Sequence, residues 1–515
     1  MKRYRFFSLI ILLCCTSVAC NDFLTEYSHD QAYVQSYSDL DELIIGSGYM
    51  KCTGTHDYTY YSTAKETYYP YVHFMADETE VRNTGTYDYY GEDFLKMFYG
   101  FYTWQKDVDK DHEGTVGWTE NQDWINLYKH INITNIILSQ IDNQTIQTEN
   151  DQQNVNRIKG EAHFLRALIY FHLMDYFGGL PLYDETTNLE QDFNNLMKPR
   201  SSAEETRAFI ISDLEKALNS GLPDKWDDAN YGRVTLTAVQ ALLGKVYLYN
   251  KNYEKAIENL EKSTNGHELY SNFADLFNLT GHTSSEMIFS IINLGGTGND
   301  YGMPLCFYAG TRNSYGSCWN NTLPSVNLVD MYEYKDGRPF DWDELFPGYT
   351  TDNQVRERVF RCTVDDAGAE ILDRPVEADK VLEMWDQRDP RLMATVIAPY
   401  TTYLGWNRNE ERLMTFIFAK NQKGDVVAVN ENNGFMRNNK GGWETYFWRK
   451  FVPEGDWNGA ITNREHTPVN FPIIRLADVY LMLAECYNET AAISDYYYIS
   501  GWLCQPSDGA SVRWE

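Results

Sequence analysis

Three stretches of this chain place flat aromatic rings beside planar polar groups. Met75–Asn83 offers Asp77, Arg82 and Asn83, and the segment from Trp104 to Asn121 offers Trp104, Trp118 and Asn121. The third crowds Tyr308, Arg312, Tyr315, Trp319 and Asn320 into one Gly-containing stretch. Tyr and Trp present apolar faces, while amides, carboxylates and guanidiniums meet hydroxyl groups edge-on. That mixture suits a sugar ring, whose C–H patches stack on aromatics while its hydroxyls take hydrogen bonds. For any single aromatic, packing in a core or an interface is the competing reading. The aromatic fraction, 15% with 39 tyrosines and 13 tryptophans, makes the pattern chain-wide.

Catalytic patterns are sparse by comparison. There is no HExxH, no GxSxG and no phosphate-loop Gly-Lys-Ser/Thr, and Gly295–Gly302 lacks the lysine and the preceding strand of a nucleotide loop. Acidic groups such as Asp77-Glu78-Glu80 and Asp341-Asp343-Glu344 could host the paired carboxylates of glycoside hydrolysis, but clusters of this kind arise by coincidence in so acidic a chain. His163 and His172 share a helix but not a metal-binding spacing, which leaves them structural. Nine cysteines show no CxxC pair, and a loop disulfide between Cys306 and Cys318 stays open. No cofactor is implied. A formal charge of −30 would repel a phosphate backbone and excludes nucleic acid as a partner.

The elements that must carry these groups are mainly helical. Arg157–Tyr183 repeats apolar residues at helical spacing through Ala162, Leu165, Leu168 and Phe177, until Gly178 and Gly179 stop the pattern before Pro181. Trp124–Ile141 precedes it with the same periodicity, and Ser201–Leu218 follows, capped by Ser201 or Ser202 with Glu204 and Glu205 in its first turn. In Val234–Ser263, Ala241, Gly244, Tyr247, Tyr253 and Ala256 occupy the small and aromatic positions of a tetratricopeptide repeat, with Gly244 and Ala256 letting two helices approach closely. A last helix is expected over Phe471–Asn488. Between Asn265 and Phe471 the periodicity gives way to Gly, Asn and aromatics around short β-prone runs, Met287–Asn293 and Val426–Val429.

The chain opens with Lys2, Arg3 and Arg5, an apolar run from Phe6 to Cys15, and small residues up to Ala19 before Cys20. This is the layout of a bacterial secretory signal, too short to span a bilayer permanently. Thr16-Ser17-Val18-Ala19-Cys20 looks like a lipobox with Ser17 in place of the usual Leu, which makes Cys20 the expected lipidation site. An ordinary signal peptide cut near Ala19 is the alternative.

RIKGEAHFLRALIYFHLMDYFGGLPLY, over 157–183, resembles the signature helix of the SusD/RagB family, surface lipoproteins that bind glycans beside an outer-membrane transporter. Asn21-Asp22-Phe23-Leu24, Pro324–Tyr332 followed by Lys335-Asp336-Gly337, and Gln387–Leu392 resemble it too, so the likeness runs from Cys20 to about Asn488. The resemblance implies a tetratricopeptide-like helical scaffold carrying a large irregular, loop-rich insertion with short strands. The expected divisions are a signal over 1–19, an N-terminal region with helix pairs over 20–264, a ligand-binding insertion over 265–470, and a last repeat helix with a divergent end over 471–515. Beyond Glu489 the resemblance fails; a truncated or frame-shifted terminus is expected there, with a natural short variant as the alternative, and either would leave the last helix short of a packing partner. It further implies a non-enzymatic glycan receptor, lipid-anchored on the outside of the outer membrane and partnered with a SusC-type TonB-dependent transporter. A surface glycoside hydrolase and a protein-binding repeat scaffold without sugar affinity remain the rivals, and a peptide or glycopeptide cargo stays open.

Overall fold

The computed structural model describes residues 36–49, 79–81, 118–187, 196–295, 302, 305–318, 320, 322–324, 326–438, 445–464 and 466–490. Cys20, Asp77, Arg82, Asn83, Trp104 and Trp319 lie outside the described residues. Among those described, the chain is mainly helical, and its scaffold is six helices: α1 (Trp118–Ile141), α2 (Glu149–Phe177), α3 (Ala203–Leu218), α4 (Leu236–Tyr249), α5 (Tyr253–Ser263) and α6 (Leu476–Glu489). From α1 to α5 each packs on the next, and α6 returns from the far end of the insertion to lie against α5.

Local chemistry fixes the helix ends. Thr148 caps α2 and Ser202 caps α3, each side chain accepting from the amide three residues on while Asp151 and Glu205 reach back to the cap amide. Gly178 ends α2 at φ 71°, a left-handed backbone that glycine adopts without strain. A side chain on Gly179 would run into the carbonyl of Ser201, so the pair both stops the helix and lets the chain ahead of α3 pass close by.

The tetratricopeptide-like spacing has a direct structural meaning. An added Cβ on Gly244 of α4 would lie 2.6 Å from Cγ of Leu260 on α5, and Ala256, one turn before Leu260, is fully buried. Gly244→Val is expected to destabilise the fold by about 1–3 kcal/mol, since the crowded helix pair must spread. Chemical denaturation of the two proteins checks it; equal midpoints would show that α4 and α5 do not depend on this approach.

Two buried ion networks tie the scaffold together. Arg166 on α2 donates Nε and Nη2 to both oxygens of Asp213 on α3, each at 2.7 Å, and Nη1 to Asn135 of α1 at 2.6 Å and Glu185 at 2.7 Å. His163 bonds the same Asp213 at 2.8 Å, which gives that histidine the structural role its spacing suggested. Earlier on the same helix α2, Glu161 is bridged to Asp41 by Arg233, and the hydroxyl of Tyr49 bonds Glu161 while accepting from the amide of Val234 at 2.8 Å.

The last segment departs from the sequence expectation. Phe471–Arg475 is a strand and only Leu476–Glu489 is helical. Pro472 and the β-branched Ile473 and Ile474 favour extended backbone, and the strand pairs antiparallel with Met287–Ile291. All five residues of Met287–Ile291 are buried: Ile288 and Phe289 join the helical core, whereas Met287 and Ile291 join a second core within the insertion. This two-stranded ribbon joins scaffold to insertion. Helix α6 is not left without a partner, because six of its residues are buried, although Leu481 stands 64% exposed. Val426–Val429 also differs, forming a single bridge, Lys420 to Val426, rather than a strand.

Over 265–470 the insertion has two cores, one around Phe416, Phe447 and Phe451, the other around Trp342, Phe360 and Trp385. In the second, Arg388 is fully buried without a carboxylate hydrogen bond among the described residues. Its guanidinium instead donates to the carbonyls of Val329, at 2.6 Å, and Tyr332, closing the C-terminal end of the short helix Val326–Met331, and lies 3.5 Å from the Phe340 ring centroid. Burial pushes its pKa down to about 10. The Gln387–Leu392 phrase is therefore a packing device. Cys306, Cys318, Cys362 and Cys486 are buried thiols, and Cys306 is not bridged to Cys318.

Candidate functional site

The insertion builds one half-buried aromatic platform out of four segments. Residues 402–407 and 410–415 form an antiparallel hairpin closed by Arg408 and Asn409, both in left-handed backbone at φ 51° and 66°, as a two-residue type I′ turn requires. This hairpin carries Trp406, whose ring lies 4.9 Å from that of Tyr315 at an interplanar angle of 52°. Both are half-buried.

Asn313 beneath them is buried and fully bonded. Its carbonyl accepts from the Trp406 amide at 2.5 Å, its side-chain oxygen from the Arg437 amide at 2.6 Å, and its side-chain nitrogen donates to Glu431 at 3.0 Å. One residue thereby fixes the loop 311–318, the hairpin and the segment 431–437. Ser314 bonds the buried hydroxyl of Tyr403 at 2.7 Å, and Tyr403 donates to the carbonyl of Pro453 at 2.6 Å, which adds the fourth segment, 453–464. From that loop Arg464 donates to the carbonyls of Gly316 and Ser317 at 2.6 and 2.8 Å.

Backbone strain gathers here as well. Among the described residues, six of nine non-glycine residues with positive φ, Ser317, Asn320, Arg408, Asn409, Trp457 and Asn458, sit on these loops. Such conformations persist only where surroundings over-determine them, and they concentrate at binding sites. The polar rim follows from the same elements: Arg312, Asn407, Glu431 and Arg437 are all partly exposed, with Arg437 Nε 3.7 Å from Glu431. Flat rings fixed on a rigid base, ringed by amide, carboxylate and guanidinium, can stack on and hydrogen-bond a polyhydroxylated ring.

Of the residues expected from sequence, Arg312 and Tyr315 fall on this platform. Tyr308 lies in the short helix Leu305–Ala309, one loop away. Asn320 is fully buried, and its side-chain amide has no hydrogen-bond partner among the described residues, which places it under the loop rather than on its open surface. Trp118 and Asn121 lie in the first turn of α1. Of the Met75–Asn83 segment the described part, Thr79–Val81, is a strand and not loop; it pairs antiparallel with Thr322–Pro324, directly after the third candidate stretch. The chain therefore brings the first and third candidate stretches together along one ladder. Reasoning from sequence passed over Trp406, Asn407, Glu431 and Arg437, although Gly405-Trp406-Asn407 carries the same aromatic-plus-amide signal as the stretches selected.

The acidic group Asp341-Asp343-Glu344 has a local task. Asp341 caps the turn Trp342–Leu345 by accepting from Asp343, Asp343 accepts from Thr350, and Glu344 lies 3.8 Å from Arg338. Hydrogen bonds from Thr350 hold the Asp343 carboxyl below the usual carboxylate range.

A helical-repeat scaffold bearing an irregular insertion with short strands defines a fold class. Comparison places the chain within it. A model described as "SusD family" matches residues 285–496, and one described as "Starch-binding associating with outer membrane" matches residues 60–248. The chain belongs to the SusD-like family. SusD-like protein P25 of Formosa agariphila is 28% identical over 170 residues, 33% of this chain and 31% of that protein, and a SusD-like protein of Bacteroides ovatus is 24% identical over 230 residues, 41% of this chain and 40% of that one. The matches thus span well under two thirds of these relatives. In fold the chain is similar to a SusD-like carbohydrate-binding protein of Bacteroides fragilis, with a TM-score of 0.62 and 20% identity over 88% of this chain and 75% of that one. It is likewise similar to a laminarin-binding SusD-like protein, with a TM-score of 0.56 and 19% identity over 88% and 80% of the two chains.

Proposed function

We propose that the protein is a glycan-binding receptor whose contact surface is the Tyr315–Trp406 platform. The carrying observation is that tilted ring pair, clamped by the fully bonded Asn313 and edged by Arg312, Asn407, Glu431 and Arg437. Two half-buried rings provide stacking faces, and the rim provides both donors and acceptors. Binding without turnover suits the site, because Glu431 is already bonded to Asn313, and Glu411, opposite Trp406 in the hairpin, accepts from the amide of Asp456, so both carboxylates serve to hold the loops.

The laminarin-binding relative makes β-glucans a sensible first member of a ligand panel that also includes other plant, host and microbial glycans. The receptor reading continues to delivery: Cys20 carries a lipid, the body faces the cell exterior on the outer membrane, and the ligand passes to a SusC-type TonB-dependent transporter that packs on the helical scaffold. The divisions at 1–19, 20–264, 265–470 and 471–515 separate signal, scaffold, ligand-contact insertion and last helix in this scheme.

Calorimetry of the wild-type protein against the panel tests binding, and long incubation with the best ligand tests turnover. Binding to at least one glycan with no release of reducing ends is expected; accumulating reducing ends would establish a hydrolase, and a folded protein that binds none of the panel would establish the scaffold reading. Cys20→Ser is expected to move the protein from the membrane to the soluble fraction, checked by fractionation and mass spectrometry of the mature N-terminus. An unmodified start at Asn21 or later would defeat the anchor.

A further inference from the structure

A second concavity lies in the insertion, apart from the platform. It encloses about 250 Å³ between the helix Asn353–Phe360 and the segments 399–418 and 445–446. That is just under the roughly 300–1,000 Å³ of sites for drug-sized molecules, so it admits one small ring and no polymer chain. None of Tyr315, Trp406, Asn313 or Glu431 lines it.

Its walls are aromatic: Tyr349, Phe360, Phe418 and Tyr446. Against them are set two arginines and two hydroxyls. Arg356 is anchored by donating Nη1 to the carbonyls of Tyr349 and Thr350, at 2.6 and 3.1 Å, and no carboxylate bonds it among the described residues. Arg361 pairs with Glu357 at 2.6 Å, so the lining carries a net positive charge in a chain of formal charge −30. The hydroxyl of Thr445 is buried with no hydrogen-bond partner among the described residues, and that of the 6%-exposed Tyr446 has none among them either. Buried polar groups in native proteins are nearly always paired, and the buried orphan hydroxyl of Thr445, with Tyr446 lining the same cleft, marks a place for a ligand's oxygens. Burial pushes the Tyr446 hydroxyl pKa well up, which keeps it a donor across the physiological range.

We infer that this cleft is a binding site for a single acidic sugar ring, a hexuronic acid, with its C–H face on Phe360 and Tyr446, its carboxylate on Arg356, and its hydroxyls on Thr445 and Tyr446. The choice of a sugar over another small acid rests on the receptor reading above; the choice of an anion rests on the cleft alone.

Calorimetric titration of the full chain with D-glucuronate, D-glucose and benzoate tests it. Glucuronate is expected to bind about tenfold or more tightly than glucose, as loss of one charge-assisted bond implies, and benzoate is expected to bind more weakly than glucuronate because it leaves both hydroxyls unpaired. Tyr446→Phe, which keeps ring and volume, is expected to weaken glucuronate several-fold, and Arg356→Gln about tenfold. Should Arg356→Gln fail to fold, as judged by its melting curve, Tyr446→Phe decides alone. Glucose equal to glucuronate, benzoate as tight as glucuronate, no glucuronate binding, or binding untouched by Tyr446→Phe would each overturn the inference. Trp406→Ala separates the two sites: glucuronate binding is expected to survive it. In the wild-type protein, no glucuronate binding beside intact polysaccharide binding sinks the cleft alone, whereas glucuronate binding with no polysaccharide of the panel bound sinks the platform alone.

Discussion

Replacing Arg166 with Met is expected to destabilise the protein by about 3–5 kcal/mol, the usual consequence of removing one partner from a buried ion pair. Arg166 is fully buried and Asp213 is 1% exposed, so the substitution leaves a carboxylate inside the scaffold with His163 and the more distant Lys216 as its remaining partners. Asn135 and Glu185 lose a donor at the same time, which loosens α1 and the segment after α2. Arg166→Met combined with Asp213→Leu is expected to recover much of the loss, because well-packed apolar residues often match a buried pair in stability. Chemical denaturation of the single and double variants measures both; a single variant within about 1 kcal/mol of wild type would show that the network contributes little.

The same pair sets a pH dependence whose sign follows from linkage. Burial raises the carboxyl pKa of Asp213, but Arg166 and His163 outweigh it and hold the folded value below the ordinary 3.8. Its stabilisation is therefore complete above the unfolded carboxylate range and is lost as pH falls through the depressed folded value. Without Arg166 the buried carboxyl titrates at a higher pH and escapes much of its penalty by taking up a proton. The gap in stability between wild type and Arg166→Met is accordingly expected to narrow between pH 7 and pH 4.

Arg166 also shows what the sequence leaves hidden. The α2 segment reads plainly as a helix because its apolar residues repeat at 3.6 spacing and two glycines stop it, and both features are seen in the structure. An arginine inside that pattern reads as surface, however, since its partners stand 31, 19 and 47 residues away and nothing local announces them. Gly244 and Ala256 were legible for the opposite reason: a small residue at each contact position of a helix pair is a local signature. Phe471–Arg475 was misread because a short apolar run fits strand or helix equally well, and its pairing partner lies 180 or more residues earlier.

In the insertion, periodicity offers less help and turn chemistry has to serve instead. The hairpin that presents Trp406 closes on Arg-Asn, not the Asn-Gly or Asp-Gly that signals a type I′ turn, so its strands passed as irregular chain. Tyr315 was found through its neighbours in sequence, whereas its ring partner 91 residues later was not. Composition can point to aromatic loops, but register and left-handed turns decide which rings meet.

Trp406→Ala is the change expected to affect ligand binding most. Truncating an aromatic anchor at the centre of a contact surface typically loses on the order of 1–3 kcal/mol, or about tenfold to a hundredfold in affinity. The fold should survive, because Trp406 is half-buried and the bond from its amide to Asn313 involves backbone alone. Asn313→Ala makes a useful contrast: it frees the Arg437 amide and Glu431 together, so it is expected to lower both affinity and thermal stability, whereas Trp406→Ala lowers affinity with little effect on stability. Trp118→Ala and Trp319→Ala complete the series, measured by calorimetry with whichever glycan binds the wild type. If either of those abolishes binding while Trp406→Ala leaves it unchanged, the sugar lies on the faces first suggested by composition, and the Tyr315–Trp406 pair is packing rather than a platform.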